Sequence, residues 1–269
     1  MIAVKQKHIN RWRLVMLSLA FLLLILTPLL NYYFQIDFVQ GWFQSLSIGN
    51  LWFVSPLEGL ERILVSKSFY GPLLVGMLLP LLLAALFGRV FCSWVCPISF
   101  LSECGEWLSK SVRRSNKMPQ SIILPRYTLW LALGGELLLT MLLGVPLFVF
   151  LSPPGVVGRE LMNLVFFQTV SLEIAILVVV LVLNLLVTRR LYCRYLCPLG
   201  GLLSLIGRKR RLQVVNNVEQ CTHCQQCQRA CPLGLSPEIG EGQTSHCWNC
   251  GLCVAACRQE SLKFHWDGR

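Results

Sequence analysis

FCSWVCPISF at residues 91–100 ends one long apolar run, and YCRYLCPLGG at 192–201 ends another. Each stretch holds two cysteines with three residues between them, then a proline. Four residues apart on a helix, Cys92 and Cys96 share a face, and so do Cys193 and Cys197. Proline disfavours helical geometry in the residue before it and suits the first position of a helix. Each motif therefore predicts a new helix starting at Pro97 or Pro198. The likeness extends outward, since GRVFCSWVCPISFLS (88–102) aligns with RRLYCRYLCPLGGLLS (189–204). The chain reads as two helical hairpins repeated in parallel, each delivering two thiols at the same depth.

The surrounding composition fits lipid. Of 269 residues, 55% are hydrophobic and only 14% charged, against about 25% charged in soluble domains. Four runs are long enough to cross a bilayer as helices of about 20 residues. They lie at about 14–34, 69–91, 127–151 and 164–187, the second interrupted by Pro72 and Pro80. Basic residues cluster at Lys5, Lys7, Arg11 and Arg13, between Arg89 and Arg126, and after Arg189, including RKRR at 208–211. The loops at 35–68 and 152–163 hold few. Because basic residues collect on the cytoplasmic side, both termini and the middle loop are expected in the cytoplasm of a multi-pass inner-membrane protein. The same rule accounts for the net charge of +11 without nucleic acid. The first span reads as a retained anchor. The outer loop 35–68, with Trp42, Phe43, Trp52 and Phe53, is expected to lie on the membrane surface or re-enter it.

Thirteen cysteines all fall at or beyond cytoplasmic faces, where structural disulfides are rare. CTHCQQCQRACP at 221–232 and CWNCGLCVAAC at 247–257 each carry the C-x2-C-x2-C-x3-C ligand run of two-cluster bacterial ferredoxins. In that run the fourth cysteine serves the other cluster. Cys221, Cys224, Cys227 and Cys257 are thus expected to hold one [4Fe–4S] cluster, and Cys247, Cys250, Cys253 and Cys231 the second. Structural zinc, which needs paired C-x2-C, leaves the third cysteine of each run unexplained. Arg258 stands where a second proline would complete the pattern, and it is not a ligand. His223 and His246 lie in or beside the runs but the cysteine set is complete without them. The division is a four-span membrane domain at 1–207 and a ferredoxin-like domain at 208–269, mainly α overall.

The four motif thiols suit a metal, a further cluster or dithiol–disulfide cycling, while buried free cysteines also serve simply as packing. Cys104 has no counterpart in the second repeat and reads as a packing residue. No haem, dinucleotide or H-E-x-x-H zinc motif is found, so the chemistry expected is transfer of single electrons. Glu136 lies inside the third span, where a charge is costly without a task or a partner. It is a candidate acceptor of a proton from quinol, or one half of a structural pair. Glu173 lies near the outer end of span four, and Asn184 and the Ser152-Pro153-Pro154-Gly155 turn are weaker leads.

Together the four spans, the two C-x3-C-P motifs, LPRY at 124–127, SPPGVVGRE at 152–160 and the cysteine-rich tail resemble the NapH family of membrane ferredoxins. These are quinol dehydrogenase subunits of periplasmic nitrate reductase systems. Related membrane ferredoxins of methylamine utilisation and nitrous oxide reduction share the layout, as does the core of a cytochrome-oxidase assembly protein. The resemblance implies quinol as electron donor and an iron–sulfur partner of the NapG type. It further implies a membrane cytochrome c and, ultimately, a periplasmic reductase. The alternative it leaves open is a membrane iron–sulfur factor for assembly or redox maturation of a metalloenzyme.

Overall fold

The computed structural model describes residues 8–34, 39–42, 44–49, 51–113 and 123–267. Lys5, Lys7, Phe43, Arg114 and Lys117 lie outside them. The apolar run at 14–34 becomes α1 (Ile9–Phe34), among the described residues the one helix long and apolar enough to cross a membrane by itself. A three-stranded antiparallel sheet follows, β1 (Val39–Trp42), β2 (Ser45–Ile48) and β3 (Leu51–Val54), and then α2 (Pro56–Ser66). Next come α3 (Gly71–Phe87), the short α4 (Val90–Trp94) and α5 (Pro97–Arg113).

The second half opens with α6 (Thr128–Leu143), α7 (Leu147–Leu151) and α8 (Pro153–Phe167). It continues with α9 (Ile174–Leu186), a π-helical turn at Tyr192–Leu196 and α10 (Pro198–Ile206).

Two expected spans are shorter than the hydropathy suggests. The run at 127–151 stops at Gly144, whose φ of 66° ends α6 in the left-handed region, and Pro146 follows. The run at 164–187 combines the end of α8 with α9, separated by Gln168 at φ 53°. Hydropathy averages across these breaks and cannot see them. At 17, 16 and 13 residues, α3, α6 and α9 are about 25, 24 and 20 Å long. The hydrocarbon layer is about 30 Å thick. All three nevertheless turn large apolar side chains outward, such as Leu78, Leu82, Leu138, Leu142, Val178 and Val182. So contiguous an apolar surface is rare on a soluble monomer.

SPPG is the start of a helix rather than an isolated turn. The Ser152 hydroxyl accepts from the Gly155 N–H at 3.2 Å, and Pro153 opens α8, where a missing N–H costs nothing. In the first repeat Pro56 likewise opens α2 directly after Ser55, whose hydroxyl makes no capping bond. Five elements of the two repeats correspond: α1, α2, α3, α4 and α5 match α6, α8, α9, the π turn and α10, while the sheet and α7 have no counterparts. They also exchange partners. α5 packs against α9 and α10 against α3, while α8 lies on α1 and α2 on α6. This reciprocity is what a twofold relation between parallel repeats produces. The expected re-entrant loop is thus a sheet plus α2, an amphipathic helix that buries Leu57, Glu58 and Glu61 and leaves Arg62 exposed. β3 lies so close to α3 that a side chain at Gly76 would collide with the Trp52 carbonyl.

The tail pairs β4 (Leu212–Asn216) with β5 (Leu262–Trp266), antiparallel, and carries the one-turn helices α11 (Gln226–Ala230) and α12 (Leu252–Ala256). It is fastened to the helices rather than tethered. The Arg211 N–H donates to Leu86 O at 3.0 Å, and the Asn249 amide donates to Phe87 O at 2.8 Å. Within RKRR, Arg210 is buried and donates to the carbonyls of Leu212, Thr244 and Gly242 at 2.9, 2.6 and 2.8 Å. Sequence charge alone assigned that residue to topology; its guanidinium organises the tail.

A buried ionic network closes the other helix ends. Glu106 on α5 bonds Arg190 Nε at 2.9 Å and Arg189 at 2.9 Å, while Glu103 meets Arg13 of α1 at 2.5 Å. Burial raises the Glu106 pKa, but Arg190 and then Arg189 outweigh it and hold the carboxyl below its ordinary value. Asn184, a weak functional lead, is structural: its amide donates to Ser102 Oγ at 3.3 Å and its carbonyl accepts from the Tyr192 N–H at 2.9 Å.

Candidate iron–sulfur and thiol centres

Two cavities of similar size open in the tail, with empty volumes of about 370 and 360 Å³. The first is lined by Cys221, Cys224, Cys227 and Cys257, and the second by Cys231, Cys247, Cys250 and Cys253. The crossing arises because α11 carries Cys231 away from its own run towards the second cavity, and α12 carries Cys257 back to the first. Left-handed backbone at His223, Gln225, Asn249 and Gly251 curls each run around its cavity. Backbone N–H groups point at sulfur: Leu235 at Cys231 and Asn249 at Cys247, both at 3.4 Å. Such bonds tune iron–sulfur potentials. Cys257 lies between opposing influences. Burial raises its pKa, but bonds from Ser261 and neighbouring N–H groups leave it below the ordinary thiol value.

His223 lines the first cavity. His246 instead stacks near Trp130, ring centres 5.3 Å apart. Burial, then the charge of Arg89, pushes its pKa down to about 4, so it is neutral at pH 7.

The four motif thiols come together where the repeats meet. Cys96 lies within electrostatic range of Cys92, Cys193 and Cys197, and Cys193 and Cys197 of Cys92. The cysteines of a pair do not share one helical face as their spacing suggests. Cys92 is in α4 and Cys193 in the π turn, while Cys96 and Cys197 follow the ends of those turns, directly before the prolines that open α5 and α10. Both turns end in the same i→i−5 bond, Cys96 N–H to Phe91 O at 3.2 Å and Cys197 N–H to Tyr192 O at 2.8 Å. Single π turns of this kind are frequent at functional sites. Among the described residues no three His, Cys, Asp or Glu side chains are grouped closely enough for a single metal ion, and every cysteine is free. Cys104 is exposed, contrary to the packing role expected of it.

Two arginines at matching repeat positions cross over. Arg89 donates to Cys193 O of the second repeat at 3.0 Å, and Arg190 donates to Ser99 O of the first at 2.9 Å. Both are almost fully buried, at 1% and 2% exposure. Their equivalence is visible in the aligned motifs, but the crossing depends on tertiary packing. The motif turns also touch the second tail cavity. Ser93 Oγ donates to Trp248 O at 3.1 Å, Trp94 Nε1 to Asn249 O at 3.4 Å, and Arg89 lies over the Trp248 ring. One apolar core accordingly holds Cys193 together with Cys227, Cys231, Cys247, Cys250 and Cys253.

Among the carboxylates, Glu173 pairs with Arg159 at 2.5 Å and is accounted for. Glu136 has no basic partner among the described residues; its neighbour is Glu61, a residue that sequence reading passed over. Glu61 is fully buried, accepts the Phe148 N–H at 3.2 Å and lies beside Thr140. Burial, then the neighbouring Glu136, pushes its pKa up to about 7. Glu58, one turn earlier on α2, lies within electrostatic range of both Glu61 and Arg159. The spacing Glu58-x-x-Glu61 after a Ser-Pro helix start was the available signal.

The 4Fe-4S binding domain family matches the chain twice, over residues 71–115 and 170–214, and the 4Fe-4S dicluster domain family matches 213–258. The first two segments are the C-x3-C-P repeats and the third is the tail. Methylamine utilization ferredoxin-type protein MauN of Methylobacillus flagellatus is 32% identical over 70% of this chain and 64% of its own length. MauN of Methylorubrum extorquens is 30% identical over 77% and 71% respectively. Ferredoxin-type protein NapH of Haemophilus influenzae is 26% identical over 86% and 82%. The chain thus spans just under two thirds of the first relative and more of the other two. No solved structure matches. With paired cysteine cavities in its tail and these relatives along most of its length, the chain belongs to the NapH/MauN-like family of ferredoxin-type, iron–sulfur electron-transfer proteins.

Proposed function

We propose that the chain is a multi-pass inner-membrane subunit that oxidises quinol and passes the electrons through two [4Fe–4S] clusters to an iron–sulfur partner. The terminal acceptor on this reading is a periplasmic reductase such as nitrate reductase. The observation that carries it is the single apolar core joining Cys193, between the helices, to the tail cysteines. Electrons leaving the helical half meet no gap of solvent on their way. The outward apolar faces of α3, α6 and α9 support a lipid setting, and the basic clusters support cytoplasmic termini.

The two sets, Cys221, Cys224, Cys227 and Cys257, and Cys231, Cys247, Cys250 and Cys253, would hold the clusters. When bound, these supply one-electron redox chemistry. The chain's own residues handle the protons. Oxidation of one quinol releases two electrons and two protons, and the electrons depart singly towards the tail. Glu136 and Glu61, side by side without a cation, are suited to take up the protons, because a neutral carboxyl is the cheaper state in an apolar site. Glu58 offers the next position towards Arg159.

The test is Glu136→Gln and Glu61→Gln, each assayed for quinol oxidation and separately for reduction of the clusters by dithionite. Each substitution is expected to slow quinol oxidation by about 10²-fold or more, the usual scale for loss of a positioned base. Dithionite reduction should be unchanged. Turnover equal to that of the parent would remove the carboxyl pair from the reaction.

A further inference from the structure

We infer that Cys92, Cys96, Cys193 and Cys197 together hold one additional [4Fe–4S] cluster, shared between the two repeats, with Arg89 as its buried counter-charge.

The first observation is an unbalanced charge. Arg89 is 1% exposed, and its polar contacts are the carbonyls of Cys193 and His246 and the Trp248 ring. Among the described residues no carboxylate pairs with it, and Glu103 and Glu106 are already occupied by Arg13, Arg189 and Arg190. A guanidinium buried without an anion is strongly unfavourable. The groups facing it are the motif thiols, and its charge acts on Cys92, Cys193 and Cys197. Protonated thiols offer no compensation, whereas four thiolates on an iron–sulfur cube carry net negative charge.

The second observation is one of number. Each segment that matches a 4Fe-4S binding domain lacks four cysteines: 71–115 contains Cys92, Cys96 and Cys104, and 170–214 contains Cys193 and Cys197. Four ligands require both segments. Cys104 is exposed, which leaves the four thiols that converge.

The third is the ligand environment. The N–H of Gly200, at the start of α10, bonds the Cys197 sulfur at 3.4 Å. The tail cysteines receive bonds of the same kind. The inference goes beyond the proposed function and does not depend on quinol as donor.

Purified, anaerobically reconstituted full-length chain should contain about twelve iron atoms, three cubes of four, rather than about eight. Cys197→Ser should lower the count to about eight and retain the paramagnetic resonance signals of the tail clusters, while Cys104→Ser changes nothing. Arg89→Met should keep iron but move the potential of the additional cluster to more negative values, a shift that loss of packing alone does not produce. About eight iron atoms in the parent, one zinc in their place, or no loss of iron in Cys197→Ser would overturn the inference. About ten, with a two-iron spectrum, would overturn the cube. Should Cys197→Ser fail to accumulate, the parent's iron count and Mössbauer spectrum still decide.

Discussion

Replacing Cys231 by serine should remove the cluster bounded by Cys247, Cys250 and Cys253, and leave intact the one bounded by Cys221, Cys224 and Cys227. The result is counter-intuitive from the sequence, where Cys231 belongs to the earlier run. It follows from the cavity linings, since Cys231 faces the second cavity and Cys257 the first. Cys231 is buried in the same core as Cys247, Cys250 and Cys253, so loss of metal there also exposes the contact between tail and helices. Metal-binding free energy in small domains is largely folding free energy. The iron count should fall by about four, and the resonance that arises from interaction between the two tail clusters should be lost. Cys257→Ser should give the mirror result. Loss of the Cys221 cluster on substituting Cys231 would refute the crossing.

The second large effect concerns Glu106. Changing it to leucine leaves Arg190, 2% exposed, without its main anion and should destabilise the protein by about 3–5 kcal/mol, as breaking buried pairs does. Thermal unfolding in detergent measures it. The same carboxyl predicts a pH dependence. Its folded pKa is depressed, so its contribution is present above the unfolded value and is lost as pH falls through the folded one. The gap in unfolding temperature between the parent and Glu106→Gln should therefore be full near neutrality and close below the ordinary carboxylate range. A gap that persists in acid would show that Glu106 acts by shape rather than by charge.

Much of this architecture is legible in the sequence. The cysteine runs specify the tail because ligand spacing is a local property, and the repeated C-x3-C-P announces the twofold. Prolines 97 and 198 open helices as expected. The less legible parts depend on contacts between the repeats. Hydropathy merged the end of α8 with α9 because averaging ignores the Gln168 turn and the Ser152-Pro153 start. The corresponding Ser55-Pro56 was hidden because α2 is short and half polar. Glu61 looked like one more charge in an outer loop, and only the packing of α2 on α6 brings it to Glu136. Arg89 looked like a marker of topology, yet it crosses the interface to the other repeat. Cys104, expected to pack because the second repeat has no counterpart of it, is exposed.

The central claim is that electrons enter from membrane quinol and reach the tail clusters through the helical half. The most direct measurement is anaerobic addition of menaquinol or ubiquinol to the oxidised, cluster-loaded protein, followed by electron paramagnetic resonance. The account predicts that reduced [4Fe–4S] signals appear with quinol as they do with dithionite, and that Glu136→Gln delays the quinol response alone. Signals that appear with dithionite, but never with either quinol at any potential the quinol can reach, would contradict it.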